Sequence, residues 1–226
     1  MDITADYDAT PTITPLSPAE QAEALEVLAQ AFAGHPMVPP DPPDKPGRPA
    51  HHNARVMMGT MLECFLKAPG AQLLGARVDG ALACVAFVHD YGYEPGGLDL
   101  VRMAWRMLRM MGPRRMLAAM RVMSEKHPGD DRRLELLILG TVAAAQGSGL
   151  GRAMLRHVVA LAEQGAYAAV TLEAAKDTPA FGFYEREGFV VEKALSLFGQ
   201  PLCYMRRESS REVVSAQESP CASPVG

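Results

Sequence analysis

The chain has 226 residues, 48% of them apolar, so one full core can be buried without disulfides or a structural metal. Its formal net charge is −4, with both signs interspersed, which excludes the strong basic bias of a nucleic-acid binder. Four cysteines (Cys64, Cys84, Cys203 and Cys221) stand singly without a CxxC pair, which excludes a disulfide scaffold and predicts buried thiols in a reducing cytosol.

The N-terminus Met1 to Asp6 is acidic and lacks an apolar h-region, so it does not read as a signal peptide, and no stretch approaches the roughly 18 apolar residues of a membrane span. The expected location is cytoplasmic. A loose start over 1–11 precedes a short strand, 12–16. Ser17, Pro18 and Glu20 form a helix opening with a capping box, and Ala22, Leu25, Leu28, Ala29 and Phe32 then recur at helical spacing towards Gly34. Six prolines between 36 and 48 dictate a loop. A helix over about 50–67 stops at Pro69-Gly70. Strands over 72–78 and 81–89 are joined by Asp79-Gly80, a strong hairpin signal.

Residues 98–124 read as two methionine-rich helices broken at Gly112-Pro113. Arg102, Arg106 and Arg109 share one face of the first, and Met103, Met107 and Met110 another. Met116, Met120 and Met123 follow helical spacing in the second. Three readings stay open for these stripes: a core-facing surface, the lining of a pocket for an apolar amine, or contact with a membrane surface. A buried strand follows over 134–141, then a glycine-rich turn, a helix over about 149–164, a strand over 168–173, a helix over about 179–187, and strands near 189–197 and 201–206. From Glu208 the chain is rich in serine and glutamate and reads as a disordered tail.

The turn is the most informative segment. A strand ending in Leu139-Gly140-Thr141 runs into Gln146-Gly147-Ser148-Gly149-Leu150-Gly151, which opens a helix. The first amides of a helix lack carbonyl partners, and the macrodipole makes that end electropositive. Such an end receives phosphate oxygens, and glycine lets them approach the backbone. The order here is GxGxG, which fails the GxGxxG dinucleotide fingerprint; Leu150 and Gly151 after Gly149 fail the Lys-Ser/Thr of a P-loop.

The order Gln-x-x-Gly-x-Gly resembles the pyrophosphate signature of the GNAT (Gcn5-related N-acetyltransferase) superfamily. A second segment, Phe183-Tyr184-Glu185-Arg186-Glu187-Gly188-Phe189, resembles the C-terminal signature of the same superfamily, and Val170-Thr171-Leu172-Glu173-Ala174 resembles its preceding strand. Ala143 departs from the proline that many members carry before the turn. The resemblance covers residues 130–207, and residues 17–90 match in plan.

It implies an α/β (α+β) fold: a mixed, mostly antiparallel twisted sheet, splayed between strands 4 and 5 and flanked by helices. It divides the chain into a flexible N-terminus 1–11, an acyltransferase domain 12–207 with the methionine-rich insertion at 98–127, and a tail 208–226. It implies direct transfer of an acetyl group from acetyl-CoA to an amine of a small molecule or peptide, without metal. The pantetheine arm would bond to the backbone of Leu139, Gly140 and Thr141. The pyrophosphate would sit on Gln146, Gly147, Ser148, Gly149, Leu150 and Gly151, with Asp177 standing where many members have Asn. No nucleic-acid partner and no membrane span are implied, and a homodimer is allowed.

Amine acylation needs a base for the ammonium proton, donors for the thioester oxygen, and a proton for the leaving thiolate. Tyr184 matches the general acid of the superfamily; the alternative is a tyrosine that packs against CoA or the core. Glu135, eleven residues before Gln146, stands where the histone-acetylating branch has its catalytic Glu. Its alternatives are Glu173, His127 or a water chain, and a plain strand carboxylate is the non-catalytic reading. The backbone N–H of Thr141 is the implied oxyanion donor. His35, His51, His52, His89 and His157 show no ligand spacing, so no metal site is expected. The competing function is a non-catalytic acyl-CoA-binding or regulatory domain.

Overall fold

The computed structural model describes residues 11–41, 49–124 and 131–209, the side chains of 122–124 excepted. Seven strands form one sheet: β1 (Ile13–Pro15), β2 (Gln72–Val78), β3 (Ala81–Asp90), β4 (Arg133–Thr141), β5 (Ala169–Ala175), β6 (Val190–Leu197) and β7 (Gln200–Glu208). Their order is β1-β2-β3-β4-β5-β7-β6, and only β4 and β5 are parallel. This is the mixed α/β sheet that the resemblance implies.

β4 and β5 pair from Arg133↔Ala169 to Leu136↔Leu172 and no further. Beyond that rung β4 continues to Thr141 against β3 alone, and β5 continues to Ala175 against β7 alone. The sheet therefore opens between its two parallel strands. A bulge lies at the same level: Phe87 and Val88 pair with Ile138 and Leu136, so Leu137 is the extra residue in β4.

Helices α1 (Gln21–Ala31) and α2 (His52–Phe65) cover one face, and their Leu28, Met58, Leu62 and Phe65 pack on Leu73, Val85, Phe87 and Ile138. After the intervening helical segment α3 (Gly97–Ser124), helix α4 (Leu150–Gln164) covers the other face, with Met154, Leu155 and Val158 against Val88, Leu136 and Leu172. The short α5 (Pro179–Arg186) adds Phe181 and Tyr184 to that layer. No helix among the described residues is long and apolar enough to cross a membrane.

The start of α1 follows its sequence signal. A 3-10 turn, Pro18–Glu20, leads into the helix, and the Ser17 N–H and hydroxyl both donate to the Glu20 carboxylate at 2.9 and 2.8 Å. The expected apolar face is buried apart from Ala22, which is exposed: Leu28 and Ala29 lie inside with Ala24 and Val27, and Leu25 and Phe32 pack beside them. The helix packs on α2 as well as on β3 and β4, so its apolar stripe is too wide for spacing alone to fix its centre.

Helix α3 breaks where expected, at Gly112, whose φ of 76° leaves the helical region just before Pro113. Met103 of its first half packs on the α1/α2 layer. In the second half, alanines rather than Met120 pack inward. Ala118 and Ala119 face inward against Leu195, Leu197, Phe198 and Leu202 of the β6–β7 hairpin, while Met120 is 57% exposed. Two small side chains let the helix approach the hairpin, a contact the methionines are too long to make. Met123 lies outside the described side chains.

β7 runs to Glu208, which pairs with Ala169, and Ser209 N–H donates to the Ala168 carbonyl at 2.8 Å. The ordered chain thus extends slightly past the start expected for the tail. The remainder of the tail, His127, Cys221 and residues 1–10 lie outside the described residues.

Candidate active site

β4 and β5 are parallel, so their C-terminal ends, Thr141 and Ala175, lie at one edge of the sheet beside the opening. The chain leaves β4 through a 3-10 turn, Ala143–Ala145, and enters α4 at Gly149. Gly147 and Gly149 have φ of 82° and 86°, in the left-handed region that favours glycine. A Cβ on either would meet no protein atom within 4 Å, so the turn opens outward. Gly151 is different. It is helical, and a Cβ there would make only an ordinary 3.5 Å contact with Thr141 Oγ1, so internal packing does not require glycine at that position. Among the described residues, no carbonyl accepts from the amides of 147–152; the first helical amide with a partner is Ala153, bonded to the Gly149 carbonyl at 2.9 Å.

Two side chains brace this turn. Gln146 Nε2 donates to the Thr141 carbonyl at 3.1 Å, and Ser148 Oγ donates to the Ala145 carbonyl at 2.7 Å. Leu150 is buried and anchors the first turn of α4 in the core. The amide direction along β4 follows from alternation. Val142 N–H donates to the Ala83 carbonyl of β3, so Thr141 and Leu139 turn their N–H and C=O groups the other way, into the opening, while Gly140 faces β3. Gly140 also lets α1 approach: a Cβ there would stand 3.0 Å from Ala31 and from Leu28. Asp177 is exposed in the turn between β5 and α5, at the same edge as Thr141.

Tyr184 lies on the α4/α5 face. It is 8% exposed and packs edge-on against Phe189. Burial, with a smaller contribution from the nearby Cys84 thiol, pushes its phenol well above the ordinary range. Cys84 in turn receives a hydrogen bond from Thr141 Oγ1 at 3.2 Å, and burial raises its thiol to about 11. Tyr184, Cys84 and Thr141 thus form one neighbourhood on this side of the opening, and all three hold their protons at neutral pH.

Glu135 lies on the opposite face. It is 4% exposed and pairs across the sheet with His89 of β3 and Thr171 of β5, on the next-to-last rung before β4 and β5 part. Its Oε2 stands 3.6 Å from His89 Nε2. Tyr204, whose phenol is raised by burial, and Tyr91 lie next to this pair, with the two rings 5.8 Å apart. Glu173 is exposed on β5, opposite Tyr204. Spacing gave no hint of His89. The only sign was a histidine at the end of an otherwise apolar strand, and the strand register supplies its partner.

Outside the sheet, the 36–41 loop is fixed to α2. Asp41 accepts from the His52 and Asn53 amides at 3.1 and 2.7 Å, capping α2 from eleven residues away, and Asn53 Nδ2 returns bonds to the Pro39 and Pro40 carbonyls. Pro40, Asn53 and Val56 with Trp105, Arg109 and Met110 line a groove of about 470 Å³. No group of three or more His, Cys, Asp or Glu able to hold a metal occurs among the described residues.

Residues 117–191 match the family model described as the acetyltransferase (GNAT) domain. No curated protein matches the chain. Among solved structures, histone acetyltransferase HPA2 and related acetyltransferase from Corynebacterium glutamicum superposes with a TM-score of 0.63 at 23% identity, over 89% of this chain and 98% of that one. Naa20 of Chaetomium thermophilum, solved with a bisubstrate analogue, gives 0.54 at 15% identity over 90% of this chain and 89% of its own. The yncA protein of Salmonella typhimurium, solved with its cofactor acetyl-CoA, gives 0.53 at 14% identity over 96% of this chain and 99% of its own. At these identities the solved structures establish a shared fold.

Proposed function

We propose that this chain, whose residues 117–191 match the acetyltransferase (GNAT) domain model, is a GNAT N-acetyltransferase that moves the acetyl group of acetyl-CoA directly to an amine of a small molecule or peptide. The observation that carries the reading is the row of unpartnered amides from Gly147 to Arg152, opening outward beside the gap between β4 and β5. That row suits a diphosphate, because its partial positive charges need no side chain and no rearrangement to meet phosphate oxygens. The N–H and C=O groups of Leu139, turned into the gap, suit an amide of an extended arm laid along it as an added strand.

Acetyl-CoA bound in this way supplies the thioester. On the α1/α2 face, Glu135 takes the proton of the incoming ammonium. The N–H of Thr141 faces the gap and stabilises charge developing on the thioester oxygen. On the α4/α5 face, Tyr184 donates to the departing sulfur. Its raised pKa keeps the phenol protonated at neutral pH, so that its O–H is present to donate to the sulfur. Base and acid sit on opposite faces, and the gap is where both can address one carbonyl. Cys84, held protonated by burial, is a poor nucleophile, which favours direct transfer over an acetyl-cysteine route.

The test is CoA thiol release from acetyl-CoA across a panel of aminoglycosides, polyamines, amino acids and short peptides, beside calorimetry of CoA binding. Release with at least one amine supports the reading. Stoichiometric CoA binding with no release across the panel favours an acyl-CoA-binding domain instead, and no binding at millimolar CoA removes the cradle.

A further inference from the structure

His89 is the most deeply buried ionisable side chain that the mechanism above leaves unused. It is fully buried near the end of β3, enclosed by the rings of Phe65 and Phe87 at 5.2 and 5.8 Å and of Tyr93 at 6.4 Å. Its Nδ1 lies 2.7 Å from the Asp90 carbonyl. A carbonyl can only accept, so the neutral ring carries its proton on Nδ1 and keeps a lone pair on Nε2. That lone pair faces Glu135 Oε2 at 3.6 Å, beyond hydrogen-bond distance, and Nε2 has no hydrogen-bond partner among the described residues.

Two lone pairs facing each other in a buried site repel. One proton between them turns the repulsion into a charge-assisted hydrogen bond and draws the atoms to about 2.8 Å. Phenols stand around the pair: Tyr93 beside His89, and Tyr204 beside Glu135 with Tyr91 against its ring. α2 presents the apolar Phe65. Arg133, two residues before Glu135, is engaged by Asp131 and Glu192 at 2.8 and 2.9 Å.

We infer that His89 is the proton partner of Glu135: a positioning residue whose Nε2 holds the proton that Glu135 removes from the acceptor ammonium. This rests on the reading of Glu135 as the base. The proton balance is closed. The ammonium N–H bond breaks, the proton passes through the Glu135 carboxylate to Nε2, and the pair changes from carboxylate plus neutral imidazole to carboxylate plus imidazolium. The freed amine attacks the thioester carbonyl. Its second proton is lost when the C–S bond breaks and goes to the thiolate by way of Tyr184. The pair returns its own proton to solvent once the amide has left.

The test uses the full-length protein with an amine that supports thiol release. His89→Asn keeps an N–H where Nδ1 donates to Asp90 and removes the titrating nitrogen. Its kcat/KM for the amine should fall about tenfold with acetyl-CoA affinity unchanged. The pH dependence of its kcat/KM should differ from that of the parent. In a Glu135→Gln background the same substitution should cost nothing more. Nitrogen NMR of the unsubstituted protein should show the neutral His89 ring carrying its proton on Nδ1, with an Nε2 resonance that Glu135→Gln displaces.

Parental kcat/KM and pH profile in His89→Asn overturn the inference, as does an Nε2 resonance indifferent to Glu135→Gln. Unchanged kcat in Glu135→Gln overturns the base reading instead, while the Nε2 resonance still reports whether the two side chains interact.

Discussion

At the Thr141 end of β4 the functional groups are backbone amides, arranged by one turn and the helix it opens. Six residues earlier, around Glu135, they are side chains contributed by β3, β4, β5 and β7 and brought together only by strand pairing. The first site is local and water-facing; the second is non-local and buried. An amide cradle tolerates change in the side chains around it but not in its φ angles. A buried polar cluster tolerates backbone variation poorly and depends on every member having its partner.

This difference ranks the effects of substitution. The largest loss of turnover belongs to the buried cluster: Glu135→Gln should lower kcat about a hundredfold or more, with acetyl-CoA affinity unchanged by calorimetry. An unaltered pH–rate profile in that variant would move the base to Glu173 or to a water chain. Next is Tyr184→Phe, which removes a donor without disturbing the packing against Phe189; kcat should fall about tenfold or more, again with little change in acetyl-CoA affinity. Equal losses in kcat and affinity would make Tyr184 a packing residue.

The cradle should respond in the opposite sense. Gly149→Val forces a β-branched residue to φ near 86°, at a cost of about 1–2 kcal/mol, and should weaken acetyl-CoA binding about tenfold while sparing kcat at saturation. A kcat loss with unchanged affinity would sever the link between turn geometry and phosphate binding.

The smallest effect lies away from both sites. Glu20 is held at about 2, below its ordinary 4.5, first by the Ser17 N–H and then by the Ser17 hydroxyl and Arg77. A carboxylate depressed in the fold contributes stability that is present above 4.5 and lost as pH falls towards 2. Ser17→Ala should therefore lower the melting temperature slightly at neutral pH, with the difference fading through that acidic window in a pH series of thermal melts.

The amide cradle was legible because its signal is local. Three glycines within five residues, after an apolar strand and before an amphipathic helix, state the conformation of the turn. The opening between β4 and β5 came from the resemblance and is present in the pairing. Glu135 was placed by counting back from Gln146, but nothing in that count disclosed His89, because the contact depends on the register across β3 and β4. The Asp41 cap on α2 escaped for the same reason: its helix begins eleven residues later, beyond the reach of a capping pattern. The inward face of the second half of α3, which the sequence left open, is set by the packing of Ala118 and Ala119 against the hairpin, with Met120 outside.

Sequence alone determined the order and type of the elements, the hairpin at Asp79-Gly80, the break at Gly112 and the glycine-rich turn that opens α4. Each rests on φ preferences and periodicities that extend over a few neighbouring residues. Tertiary structure alone decided which carboxylate meets which imidazole, which face of α3 turns inward, and that Glu135 and Tyr184 stand on opposite faces of one opening. Those outcomes depend on strand register and on the volumes of side chains far apart in the chain, and a one-residue slip in pairing would reverse which of them face each other.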